Sequence, residues 1–116
     1  MKKRYRIKKS SEIDAIFKQK VVRGDSYFAL YQIDDDTKDH FMYALSIGKK
    51  YGNAVARNLA KRRIRMIIHD HKNEFIKSKC FVIVIKPSVA TLSYQDMKQK
   101  LDTLFKKSKL MENTNE

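Results

Sequence analysis

From Lys49 to Arg65 the chain reads Lys-Lys-Tyr-Gly-Asn-Ala-Val-Ala-Arg-Asn-Leu-Ala-Lys-Arg-Arg-Ile-Arg, seventeen residues with seven Lys or Arg and no carboxylate. A surface helix ordinarily mixes charge signs, because opposite charges four residues apart stabilise it and like charges cost a few tenths of a kcal/mol per pair. Within this segment the repulsion has no compensation. Its natural partner is an external polyanion.

The same imbalance runs through the chain: 26 Lys and Arg against 13 Asp and Glu give a formal charge of +13 in 116 residues, the electrostatic footprint of a phosphate-rich partner. The charge is blocky. Met1 to Lys9 carries six basic residues and no acid, and the acid-free stretch between Asp39 and Asp70 carries seven more, together equal to the net excess. The length and a 42% hydrophobic content suit one domain with one core. Residues 1–116 are therefore read as a single nucleic-acid-binding domain, with 1–9 a basic N-terminal arm and 110–116 expected to fray. Cys80 lies in the apolar run Cys80 to Ile85 and reads as a buried, reduced thiol. No apolar run approaches the roughly 20 residues that span a bilayer, and the basic start lacks the apolar stretch of a signal peptide. A cytoplasmic protein without membrane contact is expected.

Ser10-Ser11-Glu12 opens a first amphipathic helix carrying Ile13, Ile16 and Phe17, and Gly24 ends that region. Tyr27 to Ile33 alternates like a strand, with Tyr27, Ala29, Tyr31 and Ile33 on one face and Phe28, Leu30 and Gln32 on the other. A second strand spans about Phe41 to Ile47, and the polar turn from Asp34 to Asp39 suggests that the two pair antiparallel. Val21 to Arg23 adds a short edge strand. Asn53 is a good N-cap, so a central helix starts near Ala54 and runs to about His71. Cys80 to Ile85, bounded by Pro87, reads as a strand buried on both faces. Ser93 with Asp96 resembles a capping box for a last helix with the stripe Met97, Leu101, Leu104 and Phe105.

At 100° per residue from Val55, the residues Lys61, Arg65, Asn58, His69 and Arg62 fall between about 240° and 340°, with Arg57 on the edge near 200°. Ala56, Ala60, Ile64 and Ile67 occupy roughly the 100° to 180° sector, which faces the sheet. The helix thus holds Arg57, Lys61, Arg62 and Arg65 toward a phosphate backbone, with Asn58 among them and Lys49-Lys50 at the same end. Phe17, Tyr27 and Tyr31 either line a groove where unstacked bases rest on rings or fill the core. The residues alone leave both open. No Gly-rich phosphate loop, zinc-spaced Cys or His cluster, or nucleophile elbow is present. Neither a catalytic nor a metal-ligating residue is expected: His69 and His71 do not face each other on a helix, and Asp34-Asp35-Asp36 reads as a turn. A ribosomal protein or RNA chaperone fits the same features.

The run Lys50-x-Gly52-Asn53-Ala54-Val55-x-Arg57-Asn58-x-x-Lys61-Arg62-x-x-Arg65 resembles the signature of the bacterial ribonuclease P protein component. Further matches are Arg6-Ile7-Lys8-Lys9, Phe28-Ala29-Leu30-Tyr31, Leu45-Ser46-Ile47 and Phe81-Val82-Ile83-Val84 before Lys86-Pro87. The resemblance implies an α/β (α+β) two-layer sandwich in the order α-β-β-β-α-β-α with a left-handed β-α-β crossover. It also implies a protein subunit of ribonuclease P, whose catalytic RNA uses Mg2+ to remove the 5′ leader of precursor tRNA, with no further protein partner required. By matching positions, Lys49, Lys50, Arg57, Asn58, Lys61, Arg62 and Arg65 would bind the catalytic RNA. Ile13, Phe17, Tyr31 and Lys49 would line a groove for the leader. The pattern departs at Leu59, where an Arg is usual, at Arg63, where an apolar residue is common, at Ile13, often an aromatic, and at Gly48, often a Ser.

Overall fold

The computed structural model describes residues 3–111. Helices α1 (Ser10–Gln19), α2 (Ala54–Asp70) and α3 (Tyr94–Lys107) accompany strands β1 (Val22–Gly24), β2 (Phe28–Asp34), β3 (Met42–Ile47) and β4 (Lys79–Ile85) in one mixed α+β domain. The order along the chain is the expected α-β-β-β-α-β-α. Local signals account for both long helices. The Asn53 side chain accepts a hydrogen bond from Ala56 N at 2.9 Å to open α2, and the Ser93 hydroxyl accepts from Asp96 N at 3.1 Å to open α3. Each satisfies an amide that the first turn leaves unpaired.

The four strands lie in the spatial order β1-β2-β4-β3, with β4 antiparallel to β2 and parallel to β3. The expected β2–β3 hairpin is therefore absent: β4 stands between them. Cys80, Phe81, Val82 and Ile83 are buried on both faces of the sheet, and only the centre of a sheet offers cover on both faces. The polar connection after β2 spans two inter-strand spacings, about 10 Å, and is tied to the start of β4 by Asp35 N donating to Ser78 O at 2.7 Å.

Alternation along the strands separates two apolar layers. Phe28, Leu30, Tyr43, Phe81, Ile83 and Ile85 pack with Ile64, Ile67 and Ile68 of α2 and with Met97, Leu101, Leu104 and Phe105 of α3. On the opposite face, Ala44, Cys80 and Val82 pack with Ile7 and with Ile16 of α1, joined by Ile13, Phe17, Tyr31, Ile33 and Met42. Burial raises the Cys80 thiol pKa, which keeps the thiol protonated.

Both ends are tied in. Tyr5 stacks on Phe41 with ring centroids 4.9 Å apart, and Ile7 N donates to Tyr43 O at 2.8 Å, so the basic arm is folded from Tyr5 onward. Fraying is expected from residue 110, yet Leu110 is fully buried and Met111 bridges to Phe75; the remaining 112–116 lie outside the described residues. Asn53→Ala should cost about 1 kcal/mol of stability through loss of the cap. Urea denaturation followed by circular dichroism measures it.

Candidate nucleic-acid interface

Helix α2 buries Ala60, Ile64, Ile67 and Ile68 against the sheet and α3. That fixes its rotation. Asn58 and Arg62 are exposed and Arg57, Lys61 and Arg65 half-buried, all on the outward side, while Lys49 and Lys50 are exposed in the single 3-10 turn before the helix. Among the described residues, the five ion pairs are Lys38–Asp35, His71–Glu74, His71–Asp102, Lys79–Asp34 and Lys98–Asp70. None of them involves any of the seven Lys and Arg between Lys49 and Arg65. The first turn of α2 also holds no acid, so the positive end of the helix dipole adds to Lys49, Lys50 and Arg57. Charge and dipole at this end of the helix both favour an anion.

Gly52 shapes the approach. It takes φ 156° and ψ −166°, a conformation that side chains strongly resist, and an added Cβ would stand 3.2 Å from the Ala56 Cβ. The backbone thereby turns from the Lys49-Lys50 step into the Asn53 cap. Arg63 lies off the Lys61–Arg65 stripe: it is half-buried and close enough to Tyr51 for its charge to act on that hydroxyl, against the stronger upward pull of burial. Arg63 stands one turn from Leu59, on the same side of α2.

The second surface is the α1 face of the sheet. Strand register places Tyr31, Val82 and Ala44 in one row and Ala29, Val84 and Ser46 in the next. The first row packs in the layer beneath α1. The second carries only small side chains and stays partly open, with Ala29, Val84 and Ser46 all half-buried. Phe17 and Tyr31 meet edge to face, centroids 4.8 Å apart at 77°, and Ile13 packs in the same layer. A shallow trough results, walled by Ile13, Phe17 and Tyr31. Its floor leads along β3 from Ser46 to Lys49, three residues on, which joins trough and helix.

Tyr27 does not share this trough. It precedes β2, where the Asp25 carboxylate accepts from both Tyr27 N and Phe28 N at 2.8 Å, and the turn sends its ring to the other layer beneath Lys100 Nζ, 4.7 Å from the centroid. Strand alternation does not extend into that turn. The floor residues Ala29, Ser46 and Val84 carry no sequence signal of a site, because only strand register brings three distant small residues into one row. Among the described residues no group of three or more His, Cys, Asp or Glu could hold a metal ion, and no helix is long and apolar enough to cross a membrane. The carboxylate of Asp35 accepts from Thr37 N and Oγ1, the hydroxyl contributing most to holding its pKa below the ordinary value.

An unpaired cationic helix beside a trough walled by aromatic rings defines a small RNA-binding protein. The family model for ribonuclease P matches residues 1–109. The chain is 46% identical over 112 residues to the ribonuclease P protein component of Acholeplasma laidlawii, covering 97% of this chain and 96% of that protein. It is 39% identical over 108 residues to the Bacillus cereus protein component, covering 93% and 94%. The structure of the Staphylococcus aureus RNase P protein superposes with a TM-score of 0.87 at 29% identity, covering 93% and 98% of the two chains. The chain belongs to the ribonuclease P protein family, the protein subunits of a tRNA-processing endoribonuclease.

Changing Arg57 and Lys61 to Ala should lower the log–log salt slope of RNA binding by roughly 0.7 to 0.9 for each phosphate that the variant no longer neutralises. Filter binding at several salt concentrations reads it, with circular dichroism confirming the fold. Gly52→Ala should cost about 1–3 kcal/mol through backbone strain, measured by thermal unfolding.

Proposed function

We propose that this chain is the cytoplasmic subunit that binds the catalytic RNA of ribonuclease P through α2 and holds the 5′ leader of precursor tRNA in the trough under α1. The observation that carries the reading is the set of seven cations from Lys49 to Arg65 without a carboxylate partner among the described residues. In this reading Lys49, Lys50, Arg57, Asn58, Lys61, Arg62 and Arg65 meet the catalytic RNA. Ile13, Phe17, Tyr31 and Lys49 meet the leader.

The chemistry of the surface supports an accessory role. Two RNAs dense in phosphate repel, and a cationic protein at their junction lowers that repulsion while the trough adds binding surface outside the tRNA body. Unpaired bases suit the Phe17 and Tyr31 rings because every base has a stacking face. Asp70, the carboxylate that borders the same cavity as Arg62 and Arg65, faces Lys98 Nζ at 3.8 Å, and no group of three or more His, Cys, Asp or Glu among the described residues could hold a metal ion. In this reading Mg2+ is held by the catalytic RNA and the chain supplies no ligand to it.

Phe17→Ala or Tyr31→Ala should cost about 1–3 kcal/mol in affinity for a precursor with a long leader and leave mature tRNA binding unchanged. Equilibrium binding to both RNAs, with thermal unfolding alongside, makes the comparison. A role confined to packing predicts a lowered melting temperature and an unchanged ratio of the two affinities.

A further inference from the structure

A cavity of about 610 Å³ opens at the β1–β2 edge of the sheet, where α1 and α3 both end. This edge is the one opposite β3, after which Lys49 and Lys50 follow, so the cavity is separate from the outer side of α2. Its volume falls within the roughly 300–1,000 Å³ of small-ligand sites.

Two polar side chains of its lining, Gln32 and Ser108, are 8% and 4% exposed. Gln32 Nε2 donates to Ser108 O at 2.8 Å, which satisfies a carbonyl left over at the end of α3. A carbonyl only accepts, so this bond fixes the amide: the nitrogen faces α3, and the oxygen and the second N–H are left for another partner. The Ser108 hydroxyl is buried with no hydrogen-bond partner among the described residues, whereas buried polar groups are nearly always paired. An amide with an open acceptor and an open donor matches the edge of a nucleobase, where donor and acceptor also stand side by side.

The remaining lining suits the rest of a nucleotide. Ile33 and Val21, the latter 53% exposed, give apolar wall for a base. Arg23, Lys107 and Lys109 are exposed, and none of the five ion pairs among the described residues includes them, while Lys79 is engaged by Asp34. Lys109 is also strained. Helix α3 closes with Lys109 N donating to Lys106 O at 3.1 Å and Leu110 N to Phe105 O at 3.2 Å, and Lys109 takes φ 57°. Glycine is the usual residue at this place, because a Cβ is disfavoured there. The helix dipole does not require the lysine, since Lys106 and Lys107 already occupy the last turn.

We propose that this cavity is a further RNA contact that takes one unpaired nucleotide, with its base edge on the Gln32 amide and its phosphate among Arg23, Lys107 and Lys109. That the nucleotide belongs to an RNA strand rests on the function proposed above; the nucleotide pocket does not. The amide matches the edge of any base, so the contact tolerates sequence and distinguishes a nucleotide from a bare phosphate.

The test has two arms. In the first, calorimetry on the full chain compares adenosine 5′-monophosphate with ribose 5-phosphate, which carries the same phosphate and no base. Circular dichroism and thermal unfolding accompany each variant. Val21→Trp fills the mouth from an exposed position, Lys109→Gly removes a cation and relieves the backbone, and Lys98→Gln, which faces Asp70 of α2, is the control. The pocket predicts that the monophosphate binds about tenfold tighter than the sugar phosphate. Val21→Trp abolishes that preference, Lys109→Gly weakens both ligands while raising the melting temperature, and Lys98→Gln changes neither. Equal affinity for the two ligands, or a preference that survives Val21→Trp with a native fold, overturns the pocket. In the second arm, single-stranded RNA carrying 4-thiouridine is photocrosslinked to the chain and the attachment points are mapped. An RNA occupant predicts attachment within residues 21–23 or 107–109. Attachment confined to residues 13–17 and 49–65 overturns the RNA occupant and leaves a free nucleotide as the ligand. If both arms behave as expected but the chain fails to assist precursor cleavage, the subunit reading falls and the pocket stands.

Discussion

The burial of one side of α2 is the constraint on which the rest depends. Ala60, Ile64, Ile67 and Ile68 are held against a sheet centred on β4 and against α3, and burying each large aliphatic side chain contributes about 1.5–3 kcal/mol. Only such a fixed seat can hold a helix whose other side carries so much like charge. The repulsion between its cations is retained in the folded state, and that stored cost becomes binding energy when a polyanion replaces the missing carboxylates. In the proposed function, stability and RNA binding therefore draw on opposite sides of one helix.

The sheet contributes in the same divided way. One face is filled by α2 and α3, and the other is only partly covered because α1 is short. The rows nearest α1 are packed, while the row Ala29, Val84 and Ser46 remains partly open beside Phe17 and Tyr31. The parallel placement of β3 beside β4 brings the chain from that row to Lys49 and then into α2. A leader strand lying in the trough and a folded RNA lying on the helix would meet at the Lys49-Lys50 turn, where the dipole and the lysines add.

What is legible in the sequence is local. Asn53 and Ser93 cap the helices they precede because the donor and acceptor are three residues apart, and the alternation of β2 separates Phe28 and Leu30 from Ala29 and Tyr31 as expected. The rotation of α2 follows from its apolar stripe, and with it the outward cations. What fails is long range. The choice of β4 over β3 as the partner of β2 depends on residues more than forty positions away in the chain, which no turn motif encodes. Tyr5 and Ile7 sit in a segment whose composition is overwhelmingly basic, and their burial depends on the far edge of β3. The open small-residue row is a product of strand register. The family resemblance supplies the order of elements and the site residues together, which periodicity alone leaves unconnected.

The central claim is that the chain assists a catalytic RNA by lowering repulsion and binding the leader, and contributes no reacting group. The most direct measurement is reconstitution with the cognate RNA and a 5′-extended tRNA, comparing cleavage by RNA alone, chain alone and both over falling magnesium. The account predicts tighter precursor binding and cleavage at lower magnesium with the chain present, an unchanged single-turnover rate at saturating precursor and magnesium, and no cleavage by the chain alone. Cleavage by the chain alone that a single carboxylate substitution abolishes, or RNA cleavage indifferent to the chain at every magnesium concentration, would contradict it.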